Sequence, residues 1–115
     1  MNNLLIYHMT SESEWLLAGE RGWYEAPSLV KDGFIHCSYK DQVAGTANRY
    51  YFGVKGMVLL EIDPGKLDCR WVEEKSTGDA LYPHVYGRIN LTAVQRVAPF
   101  EPRLDAKFIF PVELE

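Results

Sequence analysis

Apolar positions in the first part of the chain follow two different periods. LLIYHM (residues 4–9) is a short apolar run that predicts a buried strand. In the TSESEWLLAGERG segment that follows, Ser11 and Glu14 have the spacing of a capping box, so we expect a helix over about residues 12–20 that stops at Gly22. The chain therefore opens on a strand and a helix.

The next segments repeat this order. YEAPSLVKDG (24–33) predicts a loop, because a proline disfavours helix in the residues before it. GFIHCS (33–38) predicts a strand. Ser38 and Asp41 then form a second pair with capping-box spacing, which predicts a helix over about residues 39–52.

Strand patterns dominate the second half of the chain. They cover MVLLEID (57–63), CRWVEE (69–74), TAVQRVAPF (92–100) and AKFIFPVEL (106–114). KSTGD (75–79) predicts a turn, and ALYPHVYGRINL (80–91) an irregular segment because a proline and a glycine interrupt it. Two early helices followed by strands favour an α+β fold with mainly antiparallel sheets in one domain, 1–115.

Composition and charge narrow the classes of function. The chain has 115 residues, of which 47% are hydrophobic and 13% aromatic, as expected for one globular domain. A net charge of −4 argues against general nucleic-acid binding. The two cysteines lack a CxxC spacing, and the N-terminus lacks signal-peptide character, so we expect a cytoplasmic protein. No apolar run is long enough for a transmembrane helix, and the sequence leaves the oligomeric state open.

Two of the three histidines fall at predicted strand ends. Alternation along GFIHCS places Phe34, His36 and Ser38 on one face and Ile35 with Cys37 on the core face. His8 ends the first strand, which can neighbour the strand of His36. A satisfied structural histidine fits each position taken alone, whereas a shared cleft would make the two a site.

Neighbouring residues allow both structural and chemical interpretations. Cys37 fits a small buried hydrophobe, and Ser38 fits a helix N-cap that can also contact an anion. Tyr82, His84 and Tyr86 would share one face if LYPHVYG were extended, and would otherwise pack a rigid loop.

One acidic residue lies in an apolar strand, and no local metal motif is present. Glu61 in LLEID is expected either at an exposed position or beside an arginine such as Arg49 or Arg88. Three histidines without HxH or HxxxH spacing give no strong zinc signature.

Four segments in this order, IYHMTSESEW, PSLVKDGFIHCSYKDQVAGTANRYYFG, MVLLEID and LYPHVYGRINL, resemble the small bacterial family known as domain of unknown function 952. The resemblance spans residues 4 to about 100. That family is itself similar to the ADP-ribosyltransferase-like fold, a split pair of antiparallel sheets that binds NAD in the cleft between them. The resemblance implies that His8 holds the NAD ribose or adenylate and that His36 and Ser38 lie beside the nicotinamide.

The sequence departs from that pattern at one position. Members of the fold usually place a glutamate where LYPHVYG falls here, and this segment contains none. A carboxylate stabilises the positive charge that develops on the ribose as nicotinamide leaves. A neutral His84 can accept a proton but carries no fixed negative charge.

Three functions remain open. The first is an enzyme that acts on NAD or an ADP-ribosylated substrate through a cleft lined by His8, His36 and His84. Its nucleotide-binding residues would be Ser38, Tyr7, Tyr82, Tyr86 and Arg49. The second is a non-catalytic nucleotide-binding or interaction module, and the third is a metal site lined by the histidines.

Overall fold

The computed structural model describes residues 4–76 and 78–115. Its α-helices are α1 (Glu12–Arg21), α2 (Pro27–Asp32) and α3 (Val43–Tyr50). Its strands are β1 (Ile6–Ser11), β2 (Trp23–Tyr24), β3 (Ile35–His36), β4 (Ser38–Tyr39), β5 (Met57–Ile62), β6 (Trp71–Lys75), β7 (Leu81–Val85), β8 (Ile89–Asn90) and β9 (Val94–Phe100). The predicted turn at 75–79 contains Thr77, which lies outside the described residues. No helix in the described part of the chain has the length and apolar character needed to cross a membrane.

The strands form three antiparallel sheets. The four-stranded sheet has the order β4-β1-β5-β9, the three-stranded sheet the order β3-β7-β6, and β2 pairs with β8. Few helices and several antiparallel sheets confirm the predicted α+β class.

The predicted strand 33–38 is divided between two sheets. Ile35 and His36 pair with β7, whereas Ser38 and Tyr39 pair with β1. Cys37 lies at the crossing, where its N–H donates to the Pro83 carbonyl at 3.0 Å. The two sheets separate at this residue, because the registered pairs of β1 with β4 end at Tyr7 and Ser38.

The four-stranded sheet has a hydrophobic cluster on each face. Alternation along β1 and β5 places Ile6 and Leu60 in one cluster, and Tyr7, Met9 and Leu59 in the other. Cys37 is buried in the first cluster, as its apolar face predicted.

The segment 24–33 is not the predicted loop. It contains α2, which begins at Pro27, where a proline is favourable because the first helical N–H has no partner in the helix. The helix ends at Gly33, whose φ of 88° is the left-handed conformation that glycine adopts easily.

The second predicted helix starts later than expected, and Ser38 is not its cap. Ser38 belongs to β4, a 3₁₀ turn covers 40–42, and α3 begins at Val43. Gln42 Oε1 accepts the Tyr39 N–H at 2.9 Å, so glutamine takes the role that the sequence assigned to the Ser38 and Asp41 pair. Ser38 therefore does not cap α3, and its side chain can line the cleft described below.

Two predictions in the second half are also wrong. LYPHV is strand β7 and not an irregular segment. The Pro83 carbonyl accepts the Cys37 N–H. In an antiparallel ladder, the backbone N–H and C=O of one residue point to the same neighbouring strand. The missing N–H of Pro83 therefore faces the point where the chain leaves the sheet. Within 106–114, the structure has a 3₁₀ turn at 112–114 and no strand.

The packing of Gly87 against Cys69 gives a testable prediction. A Cβ at position 87 would lie 2.7 Å from Cys69 Cβ, closer than two carbons can approach. We expect Gly87→Ala to lower the free energy of unfolding by about 1–3 kcal/mol, measured by urea denaturation. Gly45→Ala is the matched control, because a Cβ added there would meet no described atom outside its own helix backbone and chain neighbours within 4 Å, and alanine should stabilise α3 by about 0.5–1 kcal/mol. Equal stability of the two variants would contradict the predicted close contact.

Candidate functional site

A cleft of about 740 Å³ opens where the two sheets separate. The second half of β1 forms one side, and His36, Cys37 and Ser38 form another. Helices α1, α2 and α3 contribute residues around them. Six of the residues predicted from the sequence line this cleft: Tyr7, His8, His36, Ser38, Arg49 and Tyr82.

His8 is held by both ring nitrogens. Its Nδ1 lies 2.6 Å from the His36 carbonyl oxygen, which can only accept, so Nδ1 carries the proton. Its Nε2, 2.8 Å from the Tyr24 hydroxyl, accepts from that group. Burial lowers the pKa of His8 to about 4, so the ring is neutral at pH 7. His8 therefore connects Tyr24 to the point at which the chain changes sheets. Neither of its ring nitrogens is free to act as a general base.

Tyr24 and Thr10 complete this network, and sequence reasoning missed both. The Thr10 side chain hydrogen-bonds Tyr24, whose pKa is raised above its ordinary value mainly by burial. Thr10 shares the face of His8 along β1, so the alternation that selected His8 could have found it. Tyr24 comes from β2 and carries no local sequence signal for the cleft.

His36 has a more accessible side chain. Its side chain is 47% exposed, and Nε2 lies 3.0 Å from Asp32 Oδ2 at the end of α2. The structure thus brings His8 and His36 to one cleft, with a carboxylate orienting the second ring.

Charged groups of both signs line the cleft. Arg49 on α3 hydrogen-bonds Tyr82, which raises the pKa of the guanidinium, and Lys31 on α2 adds a second cation. Glu14 and Asp32 supply carboxylates that sequence reasoning did not assign to a site. The Glu14 N–H donates to Ser11 Oγ at 3.1 Å, which confirms only the Ser11 half of the predicted capping box. Its carboxylate makes no hydrogen bond or ion pair with the described residues.

Thr46 carries a polar atom without a partner beside the cleft. Its Oγ1 is buried and finds no hydrogen-bond partner within residues 4–76 and 78–115. Buried hydroxyls in native proteins are nearly always satisfied, so this atom is a point at which a ligand can bond.

Tyr7 is tied to a buried carboxylate below the cleft. Its hydroxyl donates to Glu61 at 3.0 Å, and burial together with this bond raises the pKa of Tyr7 to about 12. Arg96 binds the same carboxylate through Nε at 2.8 Å and Nη2 at 2.9 Å. The partner of Glu61 is therefore Arg96, and the prediction of Arg49 or Arg88 is wrong.

His84 and Tyr86 do not line the cleft. Both lie on the outer face of the three-stranded sheet, which Tyr82 and His36 share, but beyond the part of that face that lines the cleft; His84 is directly opposite His36 in the register. In the described residues, no group of three or more His, Cys, Asp or Glu side chains could hold a metal ion. The hypothesis of a metal site lined by the histidines therefore has no support.

The fold and the cleft define an α+β protein whose antiparallel sheets separate around a ligand-sized space. Residues 9–97 match the family described as protein of unknown function (DUF952). Because this match covers most of the chain, the chain belongs to the DUF952 family, as the sequence motifs predicted.

Solved structures of one bacterial protein share this fold. The crystal structure of CC0527 from Caulobacter crescentus is similar at a TM-score of 0.84 and 32% identity, over 91% of this chain and 93% of that one. The solution NMR structure of CC0527 gives a TM-score of 0.76 and 34% identity, over 90% of each chain. A comparison with curated proteins found no match.

Proposed function

We propose that the cleft binds NAD or an ADP-ribosyl group, and that the protein is an ADP-ribosyltransferase-like enzyme acting on NAD or an ADP-ribosylated substrate. The observation that carries the proposal is the position of the cleft at the sheet separation, between the fixed His8 and the cation Arg49. A volume of about 740 Å³ suits a nucleotide-sized ligand.

The lining residues match the chemistry of such a ligand. Arg49 and Lys31 would bind the diphosphate, since guanidinium and ammonium groups form charge-assisted hydrogen bonds with phosphate oxygens. The hydroxyls of Ser38 and Thr46 would bond ribose or phosphate oxygens. Tyr82 presents an aromatic ring that can stack on a base.

Glu14 would supply the carboxylate that LYPHVYG lacks. When the glycosidic bond breaks, nicotinamide leaves with the bonding electron pair, and positive charge develops on the ribose. A carboxylate with no competing hydrogen-bond or ion-pair partner among residues 4–76 and 78–115 can stabilise that charge. Asp32 is less suited to this role because it already bonds His36.

A non-catalytic nucleotide-binding module is the second candidate. It is favoured by the engagement of both His8 nitrogens, which leaves that ring unable to transfer a proton without breaking its network. This candidate predicts binding in the cleft without release of nicotinamide.

Ligand titration tests the shared part of both candidates. ADP-ribose added to ¹⁵N-labelled protein should shift amide resonances around the cleft, from β1 to α3. Arg49→Met should weaken binding roughly tenfold, because it removes a charged hydrogen-bond donor from the phosphates. Arg21→Met, at the end of α1 and outside the cleft lining, is the matched control and should bind as the wild type does. If no cleft resonance moves, the nucleotide proposal is wrong.

Turnover separates the enzyme from the module. Incubation with NAD should release nicotinamide, and Glu14→Gln should reduce that release while ADP-ribose binding persists. Binding of NAD by the wild type without release over hours would favour the module.

A further inference from the structure

The outer face of the three-stranded sheet carries a buried polar group outside the cleft. Alternation places Phe34, His36, His84, Tyr86 and Glu74 on this face, whereas Ile35 and Val85 on the opposite face belong to the core. His84 is only 3% exposed although it points away from the core.

A carboxylate determines the tautomer of His84. Its Nδ1 lies 2.8 Å from Glu74 Oε1, and the Tyr86 hydroxyl donates to the same oxygen at 2.5 Å. These two bonds lower the pKa of Glu74, so the carboxylate is charged and accepts the Nδ1 proton. In the neutral ring, Nε2 is then left with a free lone pair.

The other ring nitrogen of His84, Nε2, has no hydrogen-bond partner in this arrangement of described residues. It is buried, and no described residue hydrogen-bonds it. Aromatic rings surround the imidazole, since the Phe34 ring is stacked on it at 4.0 Å between centroids and the His36 ring lies at 5.4 Å. Tyr86 adds a third ring, 5.4 Å from Phe34. A buried acceptor without a donor is rare and costs stability.

We propose that this aromatic enclosure is a second binding site, in which His84 Nε2 accepts a hydrogen bond from a small aromatic molecule that carries a hydroxyl or amino group. The ligand ring packs among Phe34, His36 and Tyr86, and its donor lies in the plane of the imidazole. Phe34 is half-buried at the surface, and the ligand would displace its ring to reach Nε2. The proposal does not rest on nucleotide binding, although His36 borders both this site and the cleft.

Phenol and anisole test the proposal as a matched pair of probes. The two share the ring, but anisole has no donor. The chain has three histidines, so long-range ¹H–¹⁵N spectra can resolve every ring nitrogen. Phenol should shift the His84 Nε2 resonance with saturation, while anisole at the same concentration should leave it in place. The proposal is overturned if both probes act alike, or if a trapped water already occupies Nε2 and phenol changes nothing.

Two glutamates on one strand provide matched variants. Glu74→Gln removes the negative charge that holds the proton on Nδ1, so the tautomer with the proton on Nε2 becomes accessible and phenol binding should weaken. Glu73→Gln changes the neighbouring residue, whose side chain instead bonds Tyr39, and should bind phenol as the wild type does. Equal phenol affinity in the two variants would overturn the role of Glu74, and the wild-type probe pair still decides the site if Glu74→Gln does not fold.

Discussion

Acidification from about pH 6.5 to about pH 4 should cost the protein about 3 kcal/mol of its free energy of unfolding through His8 alone. Burial lowers the pKa of His8 to about 4 in the folded protein, while the unfolded chain keeps the ordinary value of about 6.5. At a pH between these two pKa values, His8 binds a proton in the unfolded state and does not bind one in the folded state. Stability from this group is therefore complete above about pH 6.5 and is lost as the pH falls toward 4.

Denaturation by urea across this pH range measures the effect. Carboxylates titrate in part of the same window, so the result is the difference between the wild type and His8→Gln, which should be less dependent on pH. A His8→Gln profile parallel to that of the wild type would show that His8 is not held neutral by burial.

The second large effect is expected at Glu61. Glu61→Ala should lower the free energy of unfolding by about 3 kcal/mol, because it removes a buried side chain and leaves the Tyr7 hydroxyl buried without an acceptor. Equilibrium urea denaturation measures this change.

Glu25→Ala provides the matched control for Glu61. Glu25 also pairs with an arginine, Arg88, at 2.9 Å, but its side chain is 27% exposed against 3% for Glu61. We expect its loss to cost less than about 1 kcal/mol. Adding Tyr7→Phe to Glu61→Ala should recover about 1 kcal/mol, since the orphaned hydroxyl is gone. Equal costs for the two alanine variants would mean that burial of Glu61 is not the source of the effect.

The sequence predicted several helices and strands correctly, because the interactions that form each of them lie within one short segment. Ser11 caps α1, MVLLEI forms β5, and the alternation along GFIHCS separates Cys37 from His36. Pro27 was misread because a proline is compatible with both a loop and a first helical turn. The strand at Pro83 was not predicted, because the missing N–H of a proline disrupts a strand only where a neighbouring strand would accept a hydrogen bond from it.

The candidate site was predicted in part for the same reason. His8 was found because it lies on an apolar strand. Arg49 was named as a possible partner of Glu61 and as a nucleotide-binding residue, and its position beside the cleft comes from the structure. No local sequence pattern assigns Tyr24, Glu14 or Thr46 to the cleft, because their places in it depend on which helices and strands meet there. His84 was grouped with His8 from residue type alone, whereas its exclusion depends on where along β7 the cleft ends, since Tyr82 on the same face lines the cleft.

The sequence by itself determined the α+β class, the family and the residues able to do chemistry, because period, capping and motif spacing are properties of adjacent residues. Only the tertiary structure decided that the chain changes sheets at Cys37, that His8 is neutral, and that His84 lies outside the cleft. These features follow from hydrogen bonds and burial between residues distant in the chain, whose pairing no local pattern specifies.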